Sequence, residues 1–166
     1  MTFKKTVLGL ATAVALAASS MSAQAADIVD TAAKNGNFTT LVKMIKAAGL
    51  VDTLKGKGPF TVFAPTDAAF KKWPEKELAL FLNPAKKKHL VALLKLHVVP
   101  GKVMAADVAG KKVKAKTVEG GEITVDAMKA VMVNGSKVTQ TDIVADNGII
   151  HVIDTPLVPK QYRGSW

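Results

Sequence analysis

The spacing of the apolar residues changes near His97, and this change limits the possible folds more than any other feature of the sequence. Before His97, apolar residues recur three and four positions apart, most regularly in residues 38–48, which predicts amphipathic helices. After His97, apolar residues alternate with polar ones, as in residues 112–117, which predicts half-buried strands. Helices followed by strands are typical of α+β domains, so we predict short helices packed against a sheet of mostly antiparallel strands.

Glycine, proline and asparagine divide the two halves into short elements. The predicted helices cover residues 27–35, 38–48, 50–54, 67–70, 74–82 and 84–96. The predicted strands cover residues 60–64, 97–99, 112–117, 122–126, 130–133, 137–141 and 149–153. Asn134-Gly135 is the strongest hairpin signal in the chain. Asn147-Gly148 predicts a second turn, in which Gly148 takes a positive φ.

The chain of 166 residues contains no cysteine. Disulfides, thiolate metal sites and cysteine nucleophiles are therefore excluded. The length is sufficient for one domain with its own apolar core. Since no covalent cross-link is available, apolar packing and hydrogen bonds must hold that domain together.

The first residues have the layout of a secretory signal peptide. Lys4 and Lys5 precede an uncharged apolar run at residues 6–18, and Ala-Gln-Ala at residues 23–25 matches the small-residue cleavage pattern. The apolar run is shorter than the ~20 residues that a transmembrane helix needs. We therefore predict a cleaved signal peptide at residues 1–25 and an exported protein, periplasmic or secreted, without a transmembrane anchor. The alternative is an uncleaved N-terminal anchor.

Positive charge is concentrated in the middle of the chain. The net charge of +10 comes from 23 Lys and Arg against 13 Asp and Glu, and residues 71–116 contain twelve lysines but only three acids. This density predicts an acidic partner, either a protein or an acidic glycan or another envelope surface, and no nucleic acid, which an exported protein rarely meets. The alternative is a solvated face that keeps the protein soluble. The candidate contact residues are Lys71, Lys72, Lys86, Lys87 and Lys88, with Trp73 as an exposed aromatic side chain.

Residues suited to catalysis are scarce. The mature chain contains two serines, and neither lies in a G-x-S-x-G motif. His89, His97 and His151 lie on different predicted elements and lack the close spacing of a metal motif. The acidic segment at residues 142–148 fails the EF-hand pattern and is interpreted as a turn to which Asn147 bonds locally. We therefore expect no enzymatic activity, no metal and no cofactor.

His97 is the histidine most expected to be buried, because it joins an apolar helix to a strand. A buried imidazole needs a partner for each nitrogen, since an unmet polar group costs ~1–3 kcal/mol. Thr61 and Asp67, on the preceding strand and helix, are the natural partners, and we predict a structural polar knot of these three residues. The alternative is a catalytic or ligand-binding site. We expect His89 to be exposed and His151 to have one open side.

Three segments resemble the signature motifs of the fasciclin (FAS1, beta-Ig-H3) domain family. They are GPFTVFAPTDAAF at residues 58–70, LHVVPGKV at residues 96–103, and NGIIHVID at residues 147–154 followed by LVP at residues 157–159. Their order and separation match as well, and the likeness covers residues 26–159. The chain is similar to the single-domain, secreted bacterial members of the family.

The resemblance implies one FAS1 domain at residues 26–159 and a tail at residues 160–166. The implied fold is α+β, with a β-sandwich-like wedge and a layer of short helices. The family acts in adhesion without catalysis, and its central histidine is architectural. Animal members carry adhesion motifs beside an aromatic–His pair and an Asp–Ile pair. Here Leu96 replaces the aromatic residue, and Asp142-Ile143 matches the other pair.

Two functions follow from these patterns. The first is a non-catalytic, monomeric interaction or adhesion module that binds a protein or glycan surface. The alternative is a carrier of a small apolar ligand or lipid in a pocket between the helices and the sheet, since leucine, valine and methionine are abundant enough to line one.

Overall fold

The computed structural model describes residues 26–162. The predicted signal peptide at residues 1–25 and the last four residues of the predicted tail, 163–166, lie outside the described residues. The α-helices are α1 (Ile28–Asn35), α2 (Thr39–Ala48), α3 (Val51–Lys55), α4 (Asp67–Lys71), α5 (Glu75–Leu82), α6 (Lys87–Leu96) and α7 (Ala105–Val108). Short 3-10 helices form at Pro84–Lys86 and Lys160–Tyr162.

The strands form a seven-stranded sheet in the order β2-β1-β7-β6-β5-β4-β3. They are β1 (Phe60–Pro65), β2 (Val98–Pro100), β3 (Lys112–Lys116), β4 (Glu122–Asp126), β5 (Met132–Val133), β6 (Ser136–Ala145) and β7 (Gly148–Ile153). All neighbouring strands are antiparallel except β1 and β7. Helices packed on a mostly antiparallel sheet confirm the predicted α+β class.

The parallel pairing of β1 with β7 brings the first and last signature segments side by side. Phe60 lies opposite Gly148, and Pro65 lies opposite Ile153. Both strands are buried along nearly their whole length. Strands covered on both faces are expected to be apolar throughout rather than alternating, and this explains the sequence of β7.

Two apolar clusters cover the two faces of this strand pair. Val62 and Ile150 contact the helical cluster, which contains Phe38, Met44 and Leu93. Phe63, which follows Val62, and Ile153, at the end of β7, face the opposite way and contact a second cluster. That cluster contains Ile123, Val133 and Leu157. The central strands therefore form the layer between a helical core and a sheet-lined core.

β6 and α7 differ most from the predicted elements. β6 runs over Ser136–Ala145 instead of residues 137–141, and its pairing with β7 shifts register between Val138 and Gln140 and again between Gln140 and Ile143. Such bulges interrupt the alternation of apolar and polar residues, so this sequence pattern ends before the strand ends. The short α7 was not predicted, because four residues are too few to show a helical period.

Gly148 corrects one local prediction. Its φ is not positive, and it lies in β7 instead of in a left-handed turn position. A Cβ built on Gly148 would overlap the carbonyl oxygen of Phe60 and would lie 2.7 Å from Cδ1 of Ile28. The close approach of two backbones, and not a special φ, therefore requires glycine here. The hairpin turn is as predicted, with positive φ at Asn134 and Gly135.

Candidate functional site

The His97 side chain lies at the end of α6 and is 2% exposed. Its Nδ1 lies 2.7 Å from the carbonyl oxygen of Leu93, and its Nε2 lies 2.8 Å from the backbone N of Leu157. A carbonyl oxygen can only accept and an amide N–H can only donate, so Nδ1 carries the proton and Nε2 is the acceptor. Both polar atoms of the ring are thereby occupied by backbone groups.

Burial of the ring lowers the pKa of His97 from 6.5 to about 4. Loss of hydration disfavours the charged form, and the hydrogen bond to Leu93 only partly offsets this. Protonation would also place a second N–H against the N–H of Leu157, where no acceptor is available. The neutral ring therefore connects the end of α6 to the C-terminal segment and has no free atom for proton transfer.

Thr61 and Asp67 do not bond to His97, so the predicted knot is wrong in its contacts. The Thr61 hydroxyl donates to the carbonyl oxygen of Gly101 at 2.7 Å and accepts from the N–H of Val103 at 2.9 Å. It connects β1 to the loop after β2. The backbone carbonyl of His97 accepts from the N–H of Phe63 in β1.

The Asp67 carboxylate points to the other side, toward the start of α2. Its oxygens accept from the N–H groups of Thr39, at 3.1 Å, and Thr40, at 2.7 Å. Partial burial alone would raise the pKa of Asp67, but the hydrogen bonds from Thr40 and Thr39 hold it below its usual value. The carboxylate therefore caps a neighbouring helix, where a negative charge also complements the helix dipole.

His151 is 4% exposed and has no open side, contrary to the prediction. Its ring stacks on Phe63, with centroids 5.5 Å apart. Nε2 donates to the carbonyl oxygen of Val103 at 2.7 Å, and Nδ1 accepts from the N–H of Asp142 at 3.3 Å. The only signal in the sequence was one histidine within an apolar strand, which does not indicate these partners.

Asp142 and Ile143, proposed as contact residues, are both half-buried. Asp142 occupies the bulge of β6 with φ 58°, and its carboxylate accepts from the N–H of Ala105 at the start of α7. Ile143 packs against the helical core. These contacts hold the bulge in place, so the pair is not presented as an exposed recognition motif.

Asn147 bonds to distant segments and not to its own turn, which corrects another prediction. Its side-chain oxygen accepts from the N–H of Ile28 at 2.9 Å. Its amide nitrogen donates to the carbonyl oxygens of Leu54, at 2.6 Å, and Gly56, at 3.1 Å. One side chain thus connects the start of α1, the end of α3 and the turn before β7.

The lysine candidates divide into engaged and free groups. The Lys72 ammonium lies 3.3 Å from the carbonyl oxygen of Asp154. The Lys87 ammonium lies against Gly49 at the carboxyl end of α2, 3.6 Å from the position of an added Cβ, where the helix dipole favours a cation. All five lysines are exposed, but Lys71, Lys86 and Lys88 take no part in the ion pairs of residues 26–162.

Trp73 is half-buried, not exposed as predicted. Its ring stacks on Phe81 with centroids 5.5 Å apart and meets the edge of Phe70 at 6.1 Å. Its aromatic body therefore belongs to the helical core. His89 is also half-buried, and its ring lies 4.5 Å from that of Tyr162.

An apolar cavity lies between α3, α6 and the sheet, where a carrier would need its pocket. Leu50, Leu54, Leu94, Val98 and Val118 are among its lining residues. Its volume is about 20 Å³, room for about one water molecule. Within residues 26–162, no cluster of His, Asp and Glu could hold a metal ion, and no helix is long and apolar enough to cross a membrane.

The pH dependence of stability should reveal the neutral His97. Its pKa is lower in the folded protein than in the unfolded chain, so between about pH 6.5 and pH 4 the unfolded state binds more protons. Stability is therefore full above pH 6.5, and about 3 kcal/mol of it is lost as the pH falls to about 4. The hydrogen bonds that lower the pKa of Asp67 also stabilise the folded protein. This stabilisation is lost only when the carboxylate is protonated, which occurs below the pH range of the His97 effect.

Urea unfolding at a series of pH values measures this dependence. His97→Phe is the control, because it fills the site but cannot titrate, and it should remove most of the slope between pH 6.5 and pH 4. An identical slope in both proteins would assign the effect to other groups.

Comparison with known proteins agrees with this fold. The Fasciclin domain family model matches residues 36–159. Protein sll1483 of Synechocystis sp. is 46% identical over 132 residues, which cover 80% of this chain and 73% of that protein. The cell surface glycolipoprotein MPB83 of Mycobacterium bovis is 33% identical over 147 residues, which cover 84% of this chain and 64% of that protein.

A solved structure shows the same fold. It is a FAS1 domain pair from the insect cell adhesion molecule Fasciclin I, with a TM-score of 0.69 and 23% identity. The alignment covers 82% of this chain and 52% of that one. The family match spans most of the residues that build both cores, and the fold agrees with it, so this chain belongs to the fasciclin domain family.

Proposed function

We propose that this chain is an exported, monomeric and non-catalytic interaction module of the adhesion type, which binds a protein or an acidic glycan surface. Membership of the fasciclin family supports the adhesion role. The signal-peptide pattern at residues 1–25 supports export. The name of the mycobacterial relative, a cell surface glycolipoprotein, supports a place outside the cytoplasm.

The proposal depends on how the buried polar groups are used. In residues 26–162, every buried side-chain nitrogen or oxygen has a hydrogen-bond partner within the protein. The rings of His97 and His151 and the hydroxyl of Thr61 all bond to backbone groups that connect separate elements. A general acid or base must reach a substrate proton, and these groups are already occupied. We therefore assign the function to the outer surface.

On that surface, Lys86 and Lys88 are the best candidates for contact with an acidic partner. Both are exposed, and they flank Lys87 at the start of α6. Cations there oppose the dipole of α6, which costs a little stability, and no ion pair within residues 26–162 offsets this cost. Surface cations mainly increase the rate and orient the encounter with an acidic partner. Lys87 is left out because its ammonium lies near the carboxyl end of α2, where the helix dipole favours a cation.

Sedimentation with envelope fragments of the producing organism tests this surface. The double variant Lys86→Glu/Lys88→Glu should lower the bound fraction roughly tenfold at low salt, and added salt should weaken wild-type binding. The matched control is Lys43→Glu/Lys46→Glu, which reverses two exposed lysines on α2 and changes the net charge equally. Equal binding of both double variants, at any level, would remove the Lys86/Lys88 surface from the proposal.

A further inference from the structure

The outer edge of β3 is open. β3 is the last strand of the sheet, and β4 is its only strand partner within residues 26–162. The chain approaches β2 just after β3 ends, where the N–H of Val118 donates to the carbonyl oxygen of Val98. Within residues 26–162, the five residues Lys112–Lys116 thus form an edge strand that has no hydrogen-bonded strand on one side, although β2 comes close to β3.

The direction of the backbone groups on this edge follows from the ladder between β3 and β4. The N–H of Ala127 donates to the carbonyl of Lys111, and the N–H of Thr117 donates to the carbonyl of Gly121. Hydrogen-bonded pairs alternate along an antiparallel ladder, so Val113 also faces β4. The N–H and C=O groups of the intervening residues point to the open edge. These residues are Lys112, Lys114 and Lys116.

The same three residues carry exposed ammonium groups, while Val113 and Ala115 face the second apolar core. The side chains of Lys112 and Lys114 are 64% and 73% exposed. Lys112 lies 3.5 Å from Asp126 and Lys114 lies 3.8 Å from Glu122, but exposed ion pairs of this kind are weak. Each residue whose backbone groups point to the open edge therefore also carries an ammonium group, which can contact a strand bound there.

We propose that the β3 edge binds an extended acidic peptide with Asp or Glu at every second position. In an added strand, the residues opposite Lys112, Lys114 and Lys116 place their side chains on the lysine face, about 5.5 Å away. Opposite charges at those positions attract, whereas a second copy of β3 would bring lysine against lysine. The edge thus rejects its own copies and selects an acidic strand. This inference rests on the proposed interaction role but uses a different surface from Lys86 and Lys88.

Titration of the ¹⁵N-labelled protein with two capped peptides of equal composition tests the pattern. In the first peptide three glutamates alternate with valine, and in the second the three glutamates are contiguous. The alternating peptide should shift the amide signals of Lys112, Lys114 and Lys116 and slow their hydrogen exchange. The contiguous peptide should bind roughly tenfold more weakly. Equal affinity would overturn the alternating recognition.

A matched pair of variants separates backbone pairing from charge. Both Lys114→Thr and Lys114→Pro remove the ammonium, but only proline removes the edge N–H. Neither variant removes a bond to β4, and proline is tolerated at an edge position of this orientation. Lys114→Pro should bind the alternating peptide roughly tenfold more weakly than Lys114→Thr. Equal binding would show a cationic patch without strand addition and would overturn the proposal.

Two further measurements do not depend on how well the proline variant folds. The alternating peptide can be N-methylated on its glutamates, whose N–H groups would bond to the β3 edge, or on its valines, whose N–H groups point away. Methylation of the glutamates should abolish binding to the wild-type protein. Lys43→Glu on α2 controls for net charge and should bind like wild type, whereas Lys114→Glu should not.

A sulfated polysaccharide that displaces the peptide and shifts the same edge amides would identify an anion site instead and overturn the proposal. Loss of envelope binding in Lys86→Glu/Lys88→Glu leaves all of these readouts unaffected.

Discussion

Replacing His97 with alanine should lower the free energy of unfolding by about 3–5 kcal/mol. The substitution leaves a cavity and also removes the partners of the Leu93 carbonyl and the Leu157 N–H, both in the interior. The loss should exceed that of an ordinary core truncation, because an unmet polar group adds its desolvation cost to the cavity. Urea unfolding at pH 7 measures it.

His97→Gln is the second variant of this test, since it retains one donor and one acceptor and should be less destabilising than His97→Ala. His89→Ala is the control at a half-buried surface histidine and should cost less than about 1 kcal/mol. An unchanged unfolding midpoint for His97→Ala would refute the architectural role of the imidazole.

Gly148→Val should prevent the protein from folding. The added side chain would overlap the backbone of Phe60 at the start of the parallel β1–β7 pair, and backbone atoms cannot move aside as a flexible side chain can. Gly148→Ala has the same Cβ overlap without the two methyl groups of valine, and it should cost more than 3 kcal/mol if it folds at all. Soluble yield and thermal unfolding measure both variants.

The control for Gly148 is Gly110→Ala. Gly110 has φ 69°, and no atom lies within 4 Å of an added Cβ, so only the backbone strain of about 1–2 kcal/mol is expected. A Gly148→Ala protein that is as stable as Gly110→Ala would contradict the close approach of β1 and β7.

Local signals in the sequence predicted most of the secondary structure. The spacing of three and four in residues 38–48 and the terminating Gly49 correspond to α2, whose C-cap is Gly49 with φ 71°. Asn134-Gly135 forms the predicted hairpin turn. The helix and the turn depend only on residues that are close together in the chain, so both can be predicted from a single sequence.

Long-range partners could not be predicted in the same way. Thr61, Asp67 and His97 lie in neighbouring motifs, which suggested one shared network. Their side chains leave different elements in different directions, and each bonds to a backbone segment that no local pattern indicates. The parallel β1–β7 pairing was missed for the same reason, because it joins residues more than 80 positions apart.

Lysine density likewise did not show which ammonium groups are free. Lys86, Lys87 and Lys88 are adjacent in sequence and all exposed, yet the Lys87 ammonium lies near the carboxyl end of α2. Lys72 contacts Asp154, far away in the chain. Partner contacts should therefore be sought at the free lysines and at the β3 edge, and not at every lysine of the basic segment.

The most direct test of the account is the protonation state of the His97 ring, because the proposed non-catalytic function assigns this ring a neutral, structural role. Two-bond ¹H–¹⁵N correlation spectra, recorded from about pH 7 to pH 5, report each ring nitrogen separately. The structure predicts a protonated Nδ1 and an unprotonated Nε2 throughout this range. A ring that titrates near pH 6.5, or that carries its proton on Nε2, would contradict the account.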